Sequence, residues 1–300
     1  MSIPGRCFTL ILFFTIHISS YSQWGAGYPE KKFEIKAGPE FRQESFDWSI
    51  DGTVNGKYVN VLSELKYKPL RASGFYLDGS YRILEKLSVT LSYNKLFTVY
   101  GKATDFDYDG YDRTEPVVQL HLKSNKGDMR HLKTSFLYQF VKNTNYAAGI
   151  GLGYSRNKEL FYLFDDNNKA LRSTYEAQWN GPLVQLAGLW NATPGLFVNA
   201  SLRGNFFKYH AQANWNLIET MEHPVSFEHA AQGAGLDFDL GLGYRINRKV
   251  TAGIEAAFAT WSTRKGSDKL YLTSGSILTT NMNGAHKNNV GIRALLGYSF

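Results

Sequence analysis

The sequence predicts an all-β chain, a ten-stranded antiparallel transmembrane β-barrel with strands extended above the membrane on the external side. Three observations carry this expectation. Apolar residues alternate with small or polar ones over long stretches, the links between those stretches are short and long by turns, and the chain closes on an alternating stretch that ends at Phe300. An amphipathic sheet with no helix to cover its apolar face must bury that face in another sheet or in lipid.

The chain opens with Arg6 and the apolar run FTLILFFTI (8–16), which is too short to span a bilayer as a helix; Ser20 and Ser22 follow. Residues 1–22 are therefore expected to be a secretory signal and 23–300 the barrel domain. Cys7 is the single cysteine and falls in the leader, so the mature chain is expected to hold no disulfide and no cysteine-ligated metal. The composition is rich in Tyr (19), Phe (20) and Gly (28). Mean hydropathy is −0.31, which a barrel reaches because every second residue faces a polar interior. The net charge of +7 is mild and dispersed. It suits contact with lipopolysaccharide phosphates and argues against nucleic acid as a partner.

The strands follow in order. In 87–93, Leu87, Val89, Leu91 and Tyr93 alternate with Ser88, Thr90 and Ser92; in 146–154, Tyr146, Ala148, Ile150, Leu152 and Tyr154 alternate with alanine and glycine; in 238–246, Phe238, Leu240, Leu242, Tyr244 and Ile246 alternate with Asp239, Gly241, Gly243 and Arg245. A two-sheet sandwich shows the same alternation; the links separate the two. Tight links at 84–86, 142–145, 191–195 and 247–249 alternate with long polar ones near 48–57, 103–128, 165–170, 217–227 and 265–286, the asymmetry of outer-membrane barrels. The strands between them are expected at 31–48, 57–84, 86–102, 129–142, 145–164, 171–191, 196–216, 228–247, 249–264 and 287–300. An even number returns both ends to the periplasmic side. The last strand, VGIRALLGYSF, looks like the signal read by the barrel-assembly machinery.

One link carries chemistry. GKATDFDYDG (101–110) sets Asp105, Asp107 and Asp109 at every second position between aromatics. A calcium loop, half of a catalytic site and a solvated loop all fit that pattern. An EF-hand is excluded, because Pro116 stands where the bidentate Glu belongs and no helices flank the segment. No nucleotide, haem or zinc signature is present, and the seven histidines are scattered. No cofactor and no metal site are expected.

Longer stretches resemble the omptin family of outer-membrane endopeptidases. LSELKYK (62–68) with the hairpin through ILEKLSVTLSY resembles its second and third strands, NTNYAAGIGLGYSRNKELFYL its fifth, and YEAQWNGPLVQLAG, with Pro182 in mid-strand, its sixth. The family's Gly-x-x-x-Asp-x-Asp-aromatic frame is met by Gly101, Asp105, Asp107 and Tyr108, which implies a catalytic aspartate pair. IETMEHPVSF places His223 at the family's catalytic histidine, but Met221 stands where an aspartate should orient it. Losing such a carboxylate costs about 10⁴ in rate in another hydrolase class. Glu222 precedes the histidine, and Glu219 matches an acid that selects a basic substrate side chain. Glu40 or Glu44 would be the second such acid. Tyr154 and Lys158 match the family's lipopolysaccharide site, where Arg156 and Gln178 depart from it. The resemblance thus implies either an endopeptidase that cleaves exposed peptides near basic residues, with lipopolysaccharide required for activity, or a barrel that has lost proteolysis and serves as an adhesin, receptor or structural surface protein. A small pore is a third reading, but ten strands leave little room for a channel.

Overall fold

The computed structural model describes residues 32–300; the expected leader, 1–22, lies outside them. Twelve strands form one closed antiparallel sheet: β1 (Phe33–Val54), β2 (Lys57–Leu84), β3 (Leu87–Tyr108), β4 (Pro116–Lys123), β5 (Gly127–Lys142), β6 (Tyr146–Leu163), β7 (Ser173–Asn191), β8 (Leu196–Asn214), β9 (Phe227–Arg245), β10 (Val250–Thr263), β11 (Gly266–Tyr271) and β12 (Ile277–Ser299). β1 pairs with β12 and closes the ring. β4 and β5 both lie on β3, and β10 and β11 both lie between β9 and β12. The ring therefore has ten wall positions, as the alternation predicts.

Three expected loops are strands instead. Around 48–57, β1 and β2 run on to a two-residue turn at Asn55 and Gly56, with φ 49° and 78°. Asn-Gly is the pair that accepts positive φ at both turn positions, and the turn twists with its strands. Around 103–128, β3 runs through Tyr108 and β4 returns beside it. Around 265–286, β11 and the first half of β12 form a third extension. Polar and acidic composition suggested loops here because these strands rise clear of lipid and have water on their outer face.

The outer wall separates the two zones. Exposed apolar side chains, among them Leu132, Leu152, Tyr154, Leu186, Phe206, Leu236 and Phe258, form a band. Toward the rim the same outward face becomes polar: Arg156 and Lys158 follow Tyr154, and Lys208 and His210 follow Phe206.

Inside, the barrel is filled. The exception is a small polar space nearest the short turns, whose lining includes Lys36, Asp78, Lys133, Arg203 and Glu255. Above it charges interlock: Glu40 takes hydrogen bonds from Arg42, Arg293 and Asn94, and Lys287 reaches Glu44 at 3.2 Å and also Glu159. Higher still, a dry core that includes Phe46, Trp48, Leu65, Tyr67, Phe161, Tyr175, Trp179, Tyr209, Phe227 and Trp261 fills the rim half. Ion pairs below and packed rings above leave no continuous lumen.

Candidate functional site

The acidic stretch is strand, not loop. Asp105 and Asp107 lie in β3, opposite Leu65 and Ser63 of β2 on one side and Leu120 and Val118 of β4 on the other. Side chains two apart in a strand share a face, so both carboxylates turn inward with Ala103 while Phe106 turns outward.

Asp105 is 7% exposed, and among the described residues no hydrogen bond or ion pair satisfies it. Burial, reinforced by the charge of Asp107, pushes its carboxyl up to about 7. Asp107 is less buried. Burial raises it as well, and a hydrogen bond with Ser63 works the other way. One carboxyl poised near neutrality beside a second can hold or release a proton.

The hairpin tip is latched on the outside. Glu64 accepts hydrogen bonds from Tyr108 at 3.1 Å, from Arg113 at 3.0 Å and from Lys66 at 2.8 Å. Burial works against the charge on Glu64, but the hydrogen bonds from Lys66 and Arg113 hold the carboxyl below its usual value. The tip itself is strained: Asp112, Arg113 and Glu115 adopt positive φ without being glycine.

The expected second half of the site lies on the β8–β9 loop. His223 is exposed on the β8–β9 loop, and its Nδ1 lies 2.8 Å from Asn214 Oδ1. Among the described residues no contact joins it to Asp105 or Asp107. The loop is pinned sideways instead: Met221 bridges to Leu272, and the Glu222 N–H donates to the Tyr271 carbonyl. Glu219 and Glu222 are exposed there. Glu40 and Glu44, proposed as a specificity acid, are 0% and 2% exposed in the interior ion-pair layer, below the rim. Tyr154 and Lys158 do share the outer wall where the apolar band ends, and Lys158 pairs with Glu176 at 2.7 Å.

A buried histidine that the sequence did not single out lies on the opposite wall. His229 of β9 is 0% exposed. Its Nδ1 is 2.8 Å from the Tyr175 hydroxyl, which is 2.6 Å from the Tyr209 hydroxyl, and its Nε2 is 3.2 Å from Asp268. Asp268 lies in β11, inside a stretch expected to be loop, so its pairing with His229 was hidden. The only signal was an inward histidine in an alternating strand. This chain runs along one wall, over the neighbouring strands β7, β8, β9 and β11, within the aromatic core.

Residues 34–300 match the model of the family described as Pom, Protochlamydia outer membrane protein. Among solved structures, the outer membrane protease OmpT of Escherichia coli is similar at 12% identity, over 91% of this chain and 100% of that one, with TM-score 0.71. At this identity the likeness concerns the fold. The translocator domain of the autotransporter NalP of Neisseria meningitidis (15% identity, 90% and 88% coverage, TM-score 0.35) and OprG of Pseudomonas aeruginosa (13%, 90% and 96%, TM-score 0.33) are much more distant in shape. No curated protein matches the chain.

Proposed function

The chain belongs to the Pom family of Protochlamydia outer membrane proteins, and from that premise we propose that it is a proteolytically inactive barrel of omptin-like fold that serves as a cell-surface receptor or adhesin through its rim hairpins. The observation that carries this reading is the setting of the expected histidine: His223 lies on an exposed loop beside Asn214 Oδ1, and Met221, at the place of the orienting aspartate, bridges to Leu272. The aromatic core beneath the rim supports it, because it makes a rigid pedestal and leaves no path for solutes. Outer-membrane lipid is the surrounding partner. Tyr154, Lys158 and the exposed Arg156 where the apolar band ends favour lipopolysaccharide phosphates there, and the C-terminal strand favours the barrel-assembly machinery as the folding partner.

The second reading, an endopeptidase, rests on Asp105, whose carboxyl near 7 beside Asp107 suits acid–base work. One experiment separates the two. The full chain, refolded into vesicles containing lipopolysaccharide, is offered peptides with paired basic residues beside Asp107→Asn and Met221→Asp. It is also displayed on cells over immobilised polypeptides, beside a variant in which 104–121 is replaced by Asn-Gly. Inert peptides, near-zero conductance and adhesion lost with the shortened hairpin are expected. Cleavage abolished by Asp107→Asn would overturn the reading.

A further inference from the structure

We propose that the free edge of β4 is a docking site for an extended polypeptide, which adds to the sheet as an antiparallel strand; this rests on the receptor reading and names the chemistry of the partner. The hydrogen-bond phase of the β3–β4 hairpin sets the argument. In an antiparallel pair, alternate residues turn N–H and C=O toward the partner and the others turn them away. The Ser124 N–H donates to the Gly101 carbonyl at 3.0 Å. Counting back along the ladder, Leu122, Leu120 and Val118 bond to β3, while Lys123, His121 and Gln119 face the other way.

Lys123 shows that this edge is competent. Its N–H donates to the Phe164 carbonyl at 2.9 Å, and its carbonyl accepts from the Phe164 N–H at 2.8 Å. That antiparallel bridge is a single rung. β6 ends there and the chain turns away at Asp165, so among the described residues the ladder positions at His121 and Gln119 have no strand on them, and apart from that rung β4 pairs with β3 alone. Both residues are exposed. Natural edges are usually blunted by charge, proline or a bulge. Here Pro116 and Lys123 stand at the two ends, and Val117–Leu122 between them carries no acidic or basic side chain except the His121 imidazole.

The chemistry of the occupant follows. Unpaired donors and acceptors at strand spacing are matched by another extended backbone. Cross-strand pairing puts Val118 and Leu120 on the face of Asp107 and Asp105, and Leu120 is 41% exposed. An added strand therefore lays one row of side chains beside an apolar surface next to two carboxylates. A strand with apolar residues in that row fits the packing, and lysines between them face the water outside. In antiparallel register the residues that bond to Gln119 and His121 are those whose side chains point outward, so the lysine nitrogens of such a strand make the hydrogen bonds.

The probe is a blocked, fluorescein-labelled nonapeptide of alternating valine and lysine, read by anisotropy against the full chain in vesicles. Three copies are compared: unmodified, N-methylated at every lysine nitrogen, and N-methylated at every valine nitrogen. The expected result is binding by the first and third copies and none by the second. Gln119→Pro removes one outward donor without touching a rung to β3 and is expected to bind about tenfold more weakly, with unchanged circular dichroism and heat-modifiable migration as the folding control. Equal binding of both methylated copies, or of Gln119→Pro and wild type, would overturn the proposal. Adhesion that is lost on replacing 104–121 but indifferent to Gln119→Pro would overturn it and leave the receptor reading standing. A dimer dissolved by Gln119→Pro, with no peptide binding, would place a second copy at this edge and overturn it as well.

Discussion

Asp105→Asn is expected to stabilise the barrel by an amount that grows from about pH 4 and is complete above neutral pH. The unfolded carboxyl loses its proton near 3.8 and the folded one near 7, because burial and then the neighbouring Asp107 disfavour its charge. Between those values the native state holds a proton that the unfolded state has released. Stability therefore falls as pH rises through this window and is flat beyond it. A gap of about three pH units, at roughly 1.36 kcal/mol each, amounts to about 4 kcal/mol. Asparagine keeps the shape and removes the titration. The two proteins should match near pH 4, and the variant should be ahead by about 2–4 kcal/mol at pH 8, the lower figure allowing for relaxation around a charged Asp105. Urea unfolding in vesicles, followed by the fluorescence of the buried tryptophans, reads this directly. A difference between the two proteins that does not change from pH 4 to pH 8 would refute the reasoning, because it would mean that Asp105 finds solvent or a partner when it ionises.

Two further substitutions probe the layers above and below. Lys287→Met removes the cation shared by the buried Glu44 and Glu159, leaving them Arg42 at 4.0 Å and His131 at 2.9 Å, and removes the contact of Nζ with the Trp261 ring at 4.4 Å; it is expected to cost about 3–5 kcal/mol in the same urea assay, and a neutral result would show that water already enters this layer. Glu64→Gln weakens the latch on the β3–β4 tip. Trypsin cleavage after Arg113 is expected to quicken about tenfold while the barrel stays intact. Because the Glu64 carboxyl is held below its usual value, the latch is fully present above about pH 4.5 and is lost as pH falls through the folded value, so wild type in acid should approach the variant.

The barrel was legible because lipid imposes a constraint that a short window of sequence records. Leu240, Leu242 and Tyr244 face hydrocarbon while Asp239, Gly241 and Gly243 face the interior, and nothing long-range is needed to read that. The rim was misread for the converse reason. Once a strand rises above the apolar band its outer face is wet, so Thr104 or Lys102 looks like loop although each holds its place in the β3 ladder. Even there a local signal existed in Asn55-Gly56, which specifies the tight turn that ends β1. The register of Asp105 and Asp107 was also legible, since it depends only on the period of a strand.

What the sequence could not show was which groups meet when distant stretches of chain are brought together. His229 and Asp268 are nearly forty residues apart, and Tyr175 and Trp48 reach the same point from two more walls. The argument for Asp105 has the same character. Its carboxyl rises first because β3 carries it into a buried place, and only second because of Asp107, the neighbour that the acidic motif supplies. Among the described residues, a carboxyl without a hydrogen bond and a strand edge without a second partner thus lie at adjacent points of one hairpin. That adjacency depends on the pairing of β4 with β3, which no short window of sequence records.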